Sequence, residues 1–149
     1  MFEKYTEEAR RVIFFARYEA SQFGASEIKS EHLLMGLIRE DKELINKFFN
    51  GSKNLLDLDF VYKEVEVRTH KLRGIEPYTY DLELSLEVKR ILACASEEYE
   101  KLQSKYLSTE HLLLGILGTE EQGIAGEILR GQGLSFDSVK DRIKSNINN

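Results

Sequence analysis

An eight-residue stretch that occurs twice constrains this chain more than any other feature. Ser30-Glu31-His32-Leu33-Leu34-Met35-Gly36-Leu37 returns 79 positions later as Thr109-Glu110-His111-Leu112-Leu113-Leu114-Gly115-Ile116. Each copy is a small hydroxyl residue, Glu-His, three large apolar residues, Gly and an aliphatic. Agreement over eight consecutive positions points to a duplicated unit, and a duplicated unit predicts a fold of two like halves.

The residues ahead of each copy extend the match. Between 6 and 23, Ala9, Val12, Ile13, Ala16, Ala20 and Phe23 recur at helical spacing on one stripe. Thr6 is placed to cap that helix, Glu7 and Glu8 suit its first turn, and Gly24 supplies a stop. Val88, Ile91, Leu92, Ala95, Tyr99 and Leu102 repeat the stripe, each displaced by 79, behind Ser85 as the cap. Ser30 reads as the N-cap of a second, more apolar helix reaching about residue 39, and Thr109 opens its counterpart. Gly36 inside that helix costs about 1 kcal/mol relative to Ala. Its repetition as Gly115 marks a place where another backbone passes close by.

A short third helix is expected over 42–50, from Leu44, Ile45, Phe48 and Phe49, and a longer one over 55–73, from Leu58, Val61, Val65 and Leu72. Val65 and Val67 also fit strand alternation. In the second half Ile124, Ile128 and Leu129 parallel Leu44, Phe48 and Phe49 after one inserted residue, and Gly131 and Gly133 end that helix. Ser135 caps a last helix striped by Phe136, Val139, Ile143 and Ile147, with 146–149 fraying. The only proline, Pro77, with Tyr78 and Tyr80, marks a linker over 75–82. The expected fold is all-α, with eight helices arranged as two pseudo-two-fold-related four-helix repeats, 5–74 and 83–147. A lone copy would leave its stripe poorly covered, so both are expected to form one compact domain over 1–149.

A 42% apolar and 32% charged composition is that of a globular, soluble chain. The net charge of -5 argues against a nucleic-acid backbone as the main partner. No apolar run approaches the ~20 residues that span a bilayer, and the start of the chain lacks the apolar core of a signal peptide. The single cysteine, Cys94, has no partner for an internal disulfide. A cytoplasmic protein with no membrane partner is the expectation.

The chemistry the sequence excludes is informative. It has no Walker-type phosphate loop, no Cys pair for zinc, no nucleophile elbow and no HExxH. Neither a catalytic residue nor a cofactor is assigned. Cys94, beside the stripe, reads as a small buried hydrophobe. Two readings of the repeated Glu-His pair stand side by side. His32 and His111 could meet across the pseudo-symmetry axis, with His70 or the glutamates completing a metal site in a small metal- or ligand-sensing protein. Alternatively each His packs its ring in a helix's first turn and donates one hydrogen bond. Glu31 and Glu110 likewise either serve the helix dipole, typically worth about 0.3–1 kcal/mol, or mark two equivalent pockets for a guanidinium, whose planar fork matches a carboxylate. The linker tyrosines and Phe14-Phe15 could form a partner-binding patch or simply cover a core edge.

The doubled (Ser/Thr)-Glu-His-Leu-Leu-x-Gly-(Leu/Ile) motif, each copy behind an amphipathic helix opening with Thr or Ser, resembles the amino-terminal domain of the Clp family of AAA+ unfoldases, most closely the ClpC type. The opening Met1-Phe2-Glu3-Lys4-Tyr5-Thr6-Glu7-Glu8-Ala9 is also similar to that family's chain start. The resemblance covers about residues 1–145. It implies an all-α, eight-helix, pseudo-two-fold domain that sits on the ATPase ring, docks adaptor proteins or substrate polypeptides for unfolding and degradation, and performs no chemistry itself. It also implies two pockets for phosphorylated arginine, with the motif glutamate on the guanidinium and the cap hydroxyl on the phosphate. Carried over by position, Glu31 with Thr6 would form one pocket and Glu110 with Ser85 the other. The family commonly has Arg two residues after the hydroxyl, where this chain has Glu8 and Glu87. A carboxylate beside a phosphate repels it, unless Arg10, Arg11, Lys89 or Arg90 reaches round. The chain ends before any ATPase module, so it reads either as a stand-alone copy or as part of a longer unfoldase.

Overall fold

A computed structural model describes residues 2–49, 56–74, 81–119 and 123–147. Over these residues the chain forms α1 (Glu7–Gln22), α2 (Ser30–Glu40), a 3-10 turn (Asn46–Phe48), α3 (Leu58–Thr69), α4 (Leu86–Lys101), α5 (Thr109–Gly118), α6 (Ile124–Gly131) and α7 (Phe136–Ile147). The expectation of eight α-helices is thus corrected to seven among the described residues. The 75–80 part of the expected linker, with Pro77, Tyr78 and Tyr80, lies outside them.

The two long amphipathic helices form as their stripes dictate. Thr6 Oγ1 accepts from Ala9 N at 3.1 Å at the head of α1, and Ser85 Oγ accepts from Val88 N at 3.1 Å at the head of α4. Ala9, Val12, Ile13, Ala16, Ala20 and Phe23 are buried on one side, and Val88, Ile91, Leu92 and Ala95 on the other. Gly24, at φ 61, supplies the left-handed turn after α1 that a glycine adopts without steric cost. α1 packs along α2 and α4 along α5.

Close packing of these pairs explains the internal glycines. A Cβ on Gly36 would strike the Val12 carbonyl and lie 2.9 Å from Ala16 N. On Gly115 it would lie 2.5 Å from Ile91 O and 3.1 Å from Ala95 Cβ. Position for position, the motif glycine is where the second helix of each pair meets the backbone of the first.

Two short parallel bridges, Tyr5 with Leu107 and Ile28 with Leu84, join the halves. Thr6 N donates to Leu107 O at 2.9 Å and Leu107 N to Lys4 O at 2.8 Å; Ile28 N donates to Glu83 O at 2.8 Å and Ser85 N to Ile28 O at 2.9 Å. Each bridge sits just ahead of two helix starts, so the heads of α1 and α5 lie together, as do those of α2 and α4.

Three sequence expectations need correction. The α-helix expected over 42–50 does not form in its described part, 42–49, which holds turns and the 3-10 turn. Asp41 Oδ1 accepts from Glu43 N and Leu44 N, and the Asn46 side chain bonds both the N–H and the carbonyl of Leu56. Local side-chain bonds of this kind offer the backbone an alternative to the helical ladder, while Leu44, Ile45 and Phe48 still reach the core. Ser30 is the first residue of α2 rather than its cap, which is Lys29. α7 carries Asn146 and Ile147 within its last turn instead of fraying there. The strand alternative for Val65 is resolved as helix, with Val65 buried and Val67 exposed on α3.

Candidate functional site

The motif histidines are part of the helix starts. His32 Nδ1 accepts from Lys29 N at 3.0 Å, and His111 Nδ1 accepts from Ser108 N at 2.8 Å. Each ring therefore does from the third helical position what Glu or Gln does in a capping box. Both are buried, at 3% and 4% exposure. A backbone N–H can only donate, so Nδ1 is bare and Nε2 carries the proton. Burial, helped by Lys29 and Lys71, pulls the His32 pKa down to about 3, and burial also lowers that of His111 against an opposing pull from Glu98. Both rings are neutral at physiological pH.

This tautomer decides what Ser104 can do. Its Oγ lies 3.0 Å from His111 Nε2, a spacing that would suit a nucleophile and its base. Here Nε2 holds the proton and donates it to Ser104, so the pair supplies no activated hydroxyl. Cys94 is half-buried rather than fully buried, and burial with Glu98 and Glu97 pushes its pKa up. A raised pKa works against a thiolate nucleophile.

Glu31 is 5% exposed and lines a cleft of about 230 Å³ with Phe23, Ser26, Lys29, Thr69 and Lys71. Burial raises its pKa; its own backbone N–H and the two lysines oppose that, and Glu87 adds to it. Glu87, in the first turn of α4, sends Oε2 to Ser30 N at 2.8 Å. The Ser30 hydroxyl in turn accepts from Ala125 N, at the start of α6, at 3.2 Å. A side chain on Gly123 would collide with the Glu87 carboxylate and lie 2.8 Å from Ser30 Oγ. The start of α2 is thus closed over by α4 and the approach to α6.

Glu110 occupies the matching place on α5. It lines a cleft of about 290 Å³ with Tyr106, Ser108, Ile143 and Ile147, and its carboxylate lies 4.0 Å from Lys47 Nζ. Tyr106 and Ile147 are exposed at 53% and 57%, so this cleft has an apolar rim. Glu8, the counterpart of Glu87, points outward and lies 4.0 Å from Arg11 with its side chain 59% exposed. The two helix starts therefore share a sequence but not an environment.

The backbone bridges rearrange the expected pairings. Thr6 is tied to the segment leading into α5, on which Glu110 lies, while Ser85 is tied to the segment leading into α2, on which Glu31 lies. The backbone thus brings Thr6 to the approach of α5 and Ser85 to that of α2, not the pairs expected by position, and neither residue lines the Glu31 or the Glu110 cleft. Both hydroxyl oxygens already accept a helix N–H as caps. Sequence reasoning missed the reach of Glu87 onto α2; its acidic first-turn position was visible, but its target was not.

Nothing favours a metal site at the motif. Among the described residues no group of three or more His, Cys, Asp or Glu side chains is placed to hold an ion. The His32 ring lies tilted beside Phe23 and that of His111 edge-to-face with Tyr99, while His70 is an exposed left-handed cap of α3. No described helix is long and apolar enough to cross a membrane. Phe14 is 64% exposed, with Phe15 edge-on to it. Of the expected aromatic patch, only this pair falls within the described residues.

A second pair of positions 79 apart carries buried carboxylates. Glu19 is fully buried and receives Tyr62 Oη at 2.8 Å, Arg39 Nη1 at 3.3 Å and Arg73 Nε at 3.4 Å. Glu98 is met by Lys140 Nζ at 2.6 Å, an ionic contact whose angle is poor for a hydrogen bond. These pairs tie α3 and the segment after it to α1, and α7 to α4.

Comparison with known proteins shows the family and the fold. The profile of the family described as the Clp repeat (R) N-terminal domain matches residues 4–132. The chain is 31% identical over 143 residues to the negative regulator of genetic competence ClpC/MecB of Bacillus subtilis, covering 96% of this chain and 17% of that protein. It is 28% identical over 144 residues to the chaperone protein ClpB of Oceanobacillus iheyensis, again 96% of this chain and 17% of that one. The crystal structure of the N-terminal domain of ClpD from Arabidopsis thaliana superimposes with a TM-score of 0.74 at 25% identity, covering 99% of each chain. The Hsp104 N-terminal domain of Candida albicans shares the fold, with a TM-score of 0.69 at 21% identity over 93% of this chain and 88% of that one. The chain spans only 17% of the length of these curated relatives. With its all-helical fold, its twin helix starts and a family match over most of its length, this chain belongs to the family of Clp amino-terminal repeat domains.

Proposed function

We propose that this chain is a non-catalytic docking module of the Clp chaperone and protease system. It engages adaptor proteins or substrate polypeptides and delivers them for unfolding and degradation, in the cytoplasm and in association with a Clp ATPase ring. The observation that carries the reading is the family match over residues 4–132 together with the use of both motif histidines in helix capping. Those histidines would be the natural catalysts or ligands of the motif, and the Nδ1 of each is committed to holding a helix start. What remains for a partner is surface: the clefts at Glu31 and Glu110, with Thr6 and Ser85 nearby.

The two halves are best understood as copies of one unit, 5–74 and 83–147. Support comes from matched caps, matched glycine contacts and matched buried carboxylates, each 79 positions apart. Phosphorylated arginine is a candidate ligand of the module through the resemblance alone. The test is affinity capture from native lysate with the folded chain as bait. Recovery of a Clp ATPase, an adaptor or unfolded chains supports the reading; their absence at stoichiometric bait loading counts against it.

A further inference from the structure

The two motif helices begin with matching residues, yet among the described residues only α2 has its first N–H taken by a side chain from the other half. Ser30 N donates to Glu87 Oε2 at 2.8 Å. His32 N and Leu33 N turn back to Lys29 O at 3.1 Å. Three donors of the first turn of α2, those of Ser30, His32 and Leu33, are therefore engaged within the chain. At α5, His111 N and Leu112 N turn back to Ser108 O in the same way. Glu8, which corresponds to Glu87, stands in solvent beside Arg11.

A helix start attracts anions because its N–H groups are unpaired and its dipole is positive there. Glu87 sits in the first turn of α4, so one carboxylate meets the positive ends of two helices, its own and α2. We propose that Glu87 is a built-in competitor that closes the start of α2 to oxyanions, phosphorylated side chains included, and so makes the two duplicated starts inequivalent. The proposal deepens the docking reading, on which it rests, by fixing what kind of group the Glu31 cleft refuses.

Three physical facts support this. An attached group competes at an effective concentration on the order of millimolar or more, whatever the ligand supply. A charge-assisted N–H bond to a carboxylate is roughly twice as strong as a neutral one. A phosphate brought to the same N–H would also meet two carboxylates, Glu87 and Glu31, where like charges are costly, a repulsion that Lys29 and Lys71 of the same cleft offset only in part. Gly123 reinforces the closure, since its lack of a side chain is what leaves room for the Glu87 carboxylate beside Ser30.

The test is an amide-resolved NMR titration of the whole chain with inorganic phosphate and, separately, with phosphoarginine. It compares the natural chain with Glu87→Ala and Glu87→Gln. In the natural chain the Ser30 and Glu31 amides should stay unmoved by either probe. In Glu87→Ala they should shift saturably, with affinity raised at least about tenfold over the natural chain, a change of roughly 1.4 kcal/mol. Glu87→Gln keeps an oxygen for Ser30 N–H while removing the charge, so it preserves the contact between halves and should show a smaller gain. Saturable movement of Ser30 in the natural chain, or no movement in either variant, overturns the proposal. Neither result touches capture of Clp components, so failure here and failure of the docking reading are separable.

Discussion

Gly36 of α2 lies so close to Val12 of α1 that no side chain fits between them, and Gly115 repeats the arrangement against Ile91. The obstacle in each case is a backbone carbonyl, which cannot rotate away as a side chain can. Replacing Gly by Ala inside a helix should gain about 1 kcal/mol from propensity. Overpacking costs typically 1–3 kcal/mol, and a rigid obstacle puts these sites at the upper end. Gly36→Ala and Gly115→Ala should therefore each destabilise by roughly 1–2 kcal/mol. Urea unfolding decides the sign, and a stabilised variant would show the helix pairs to be looser than described.

The caps allow a second prediction. Thr6→Ala and Ser85→Ala each remove one acceptor for a helix N–H and should cost about 1 kcal/mol. Because the oxygens are used in the same way in both halves, the two losses should be similar. A loss confined to one of them would break the correspondence.

Stability should depend on pH through His32. Its folded pKa, about 3, lies well below the unfolded value near 6.5. The unfolded chain therefore binds the extra proton first. The contribution is fully present above the unfolded pKa and is lost as pH falls from about 6.5 toward 3, at no more than about 1.4 kcal/mol per pH unit. His111 adds in the same direction, since its pKa is also lowered. Glu31, whose pKa is raised, acts oppositely: it favours the folded state below its unfolded pKa, and that contribution is lost as pH rises through the folded value. His32→Gln, which retains an acceptor without titrating, should flatten the slope of unfolding free energy between about pH 6.5 and 5. An unchanged slope would place the proton uptake elsewhere.

Glu19 offers the largest single effect. Removing one partner of a buried ionic cluster costs up to about 3–5 kcal/mol, and the part-exposed guanidiniums of Arg39 and Arg73 keep the loss of Glu19 toward the lower end. Glu19→Ala would leave Arg39, Arg73 and Tyr62 facing an empty place. Thermal unfolding of this variant should fall well below that of Arg73→Ala, where Glu19 keeps its other partners.

Much of this was legible in the chain itself, for identifiable reasons. Stripes such as Ala9, Val12, Ile13, Ala16 and Ala20 are a direct projection of burial onto a helical period, and the caps Thr6 and Ser85 use residue types with a known signature. The 42–50 segment misled because Leu44, Ile45 and Phe48 are buried at helical spacing while Asp41 and Asn46 hold the backbone in turns. The true cap partners escaped notice because His at the third position is not the Glu or Gln that the capping-box pattern prescribes. The crossed pairing of Thr6 with the α5 side and Ser85 with the α2 side depends on the bridges at Leu107 and Ile28, long-range contacts that no local periodicity encodes.

The central claim is that the clefts at the two motif helices are where partners dock. Its most direct test is the binding of a permanently unfolded polypeptide, reduced and carboxymethylated lactalbumin, to the fluorescently labelled chain. The natural chain is compared with the double variant Glu31→Ala, Glu110→Ala. We predict saturable binding by the natural chain and a loss of about tenfold or more in the double variant, with both proteins folded by circular dichroism. Undetectable binding by the natural chain, or equal affinity in the double variant, would contradict the account.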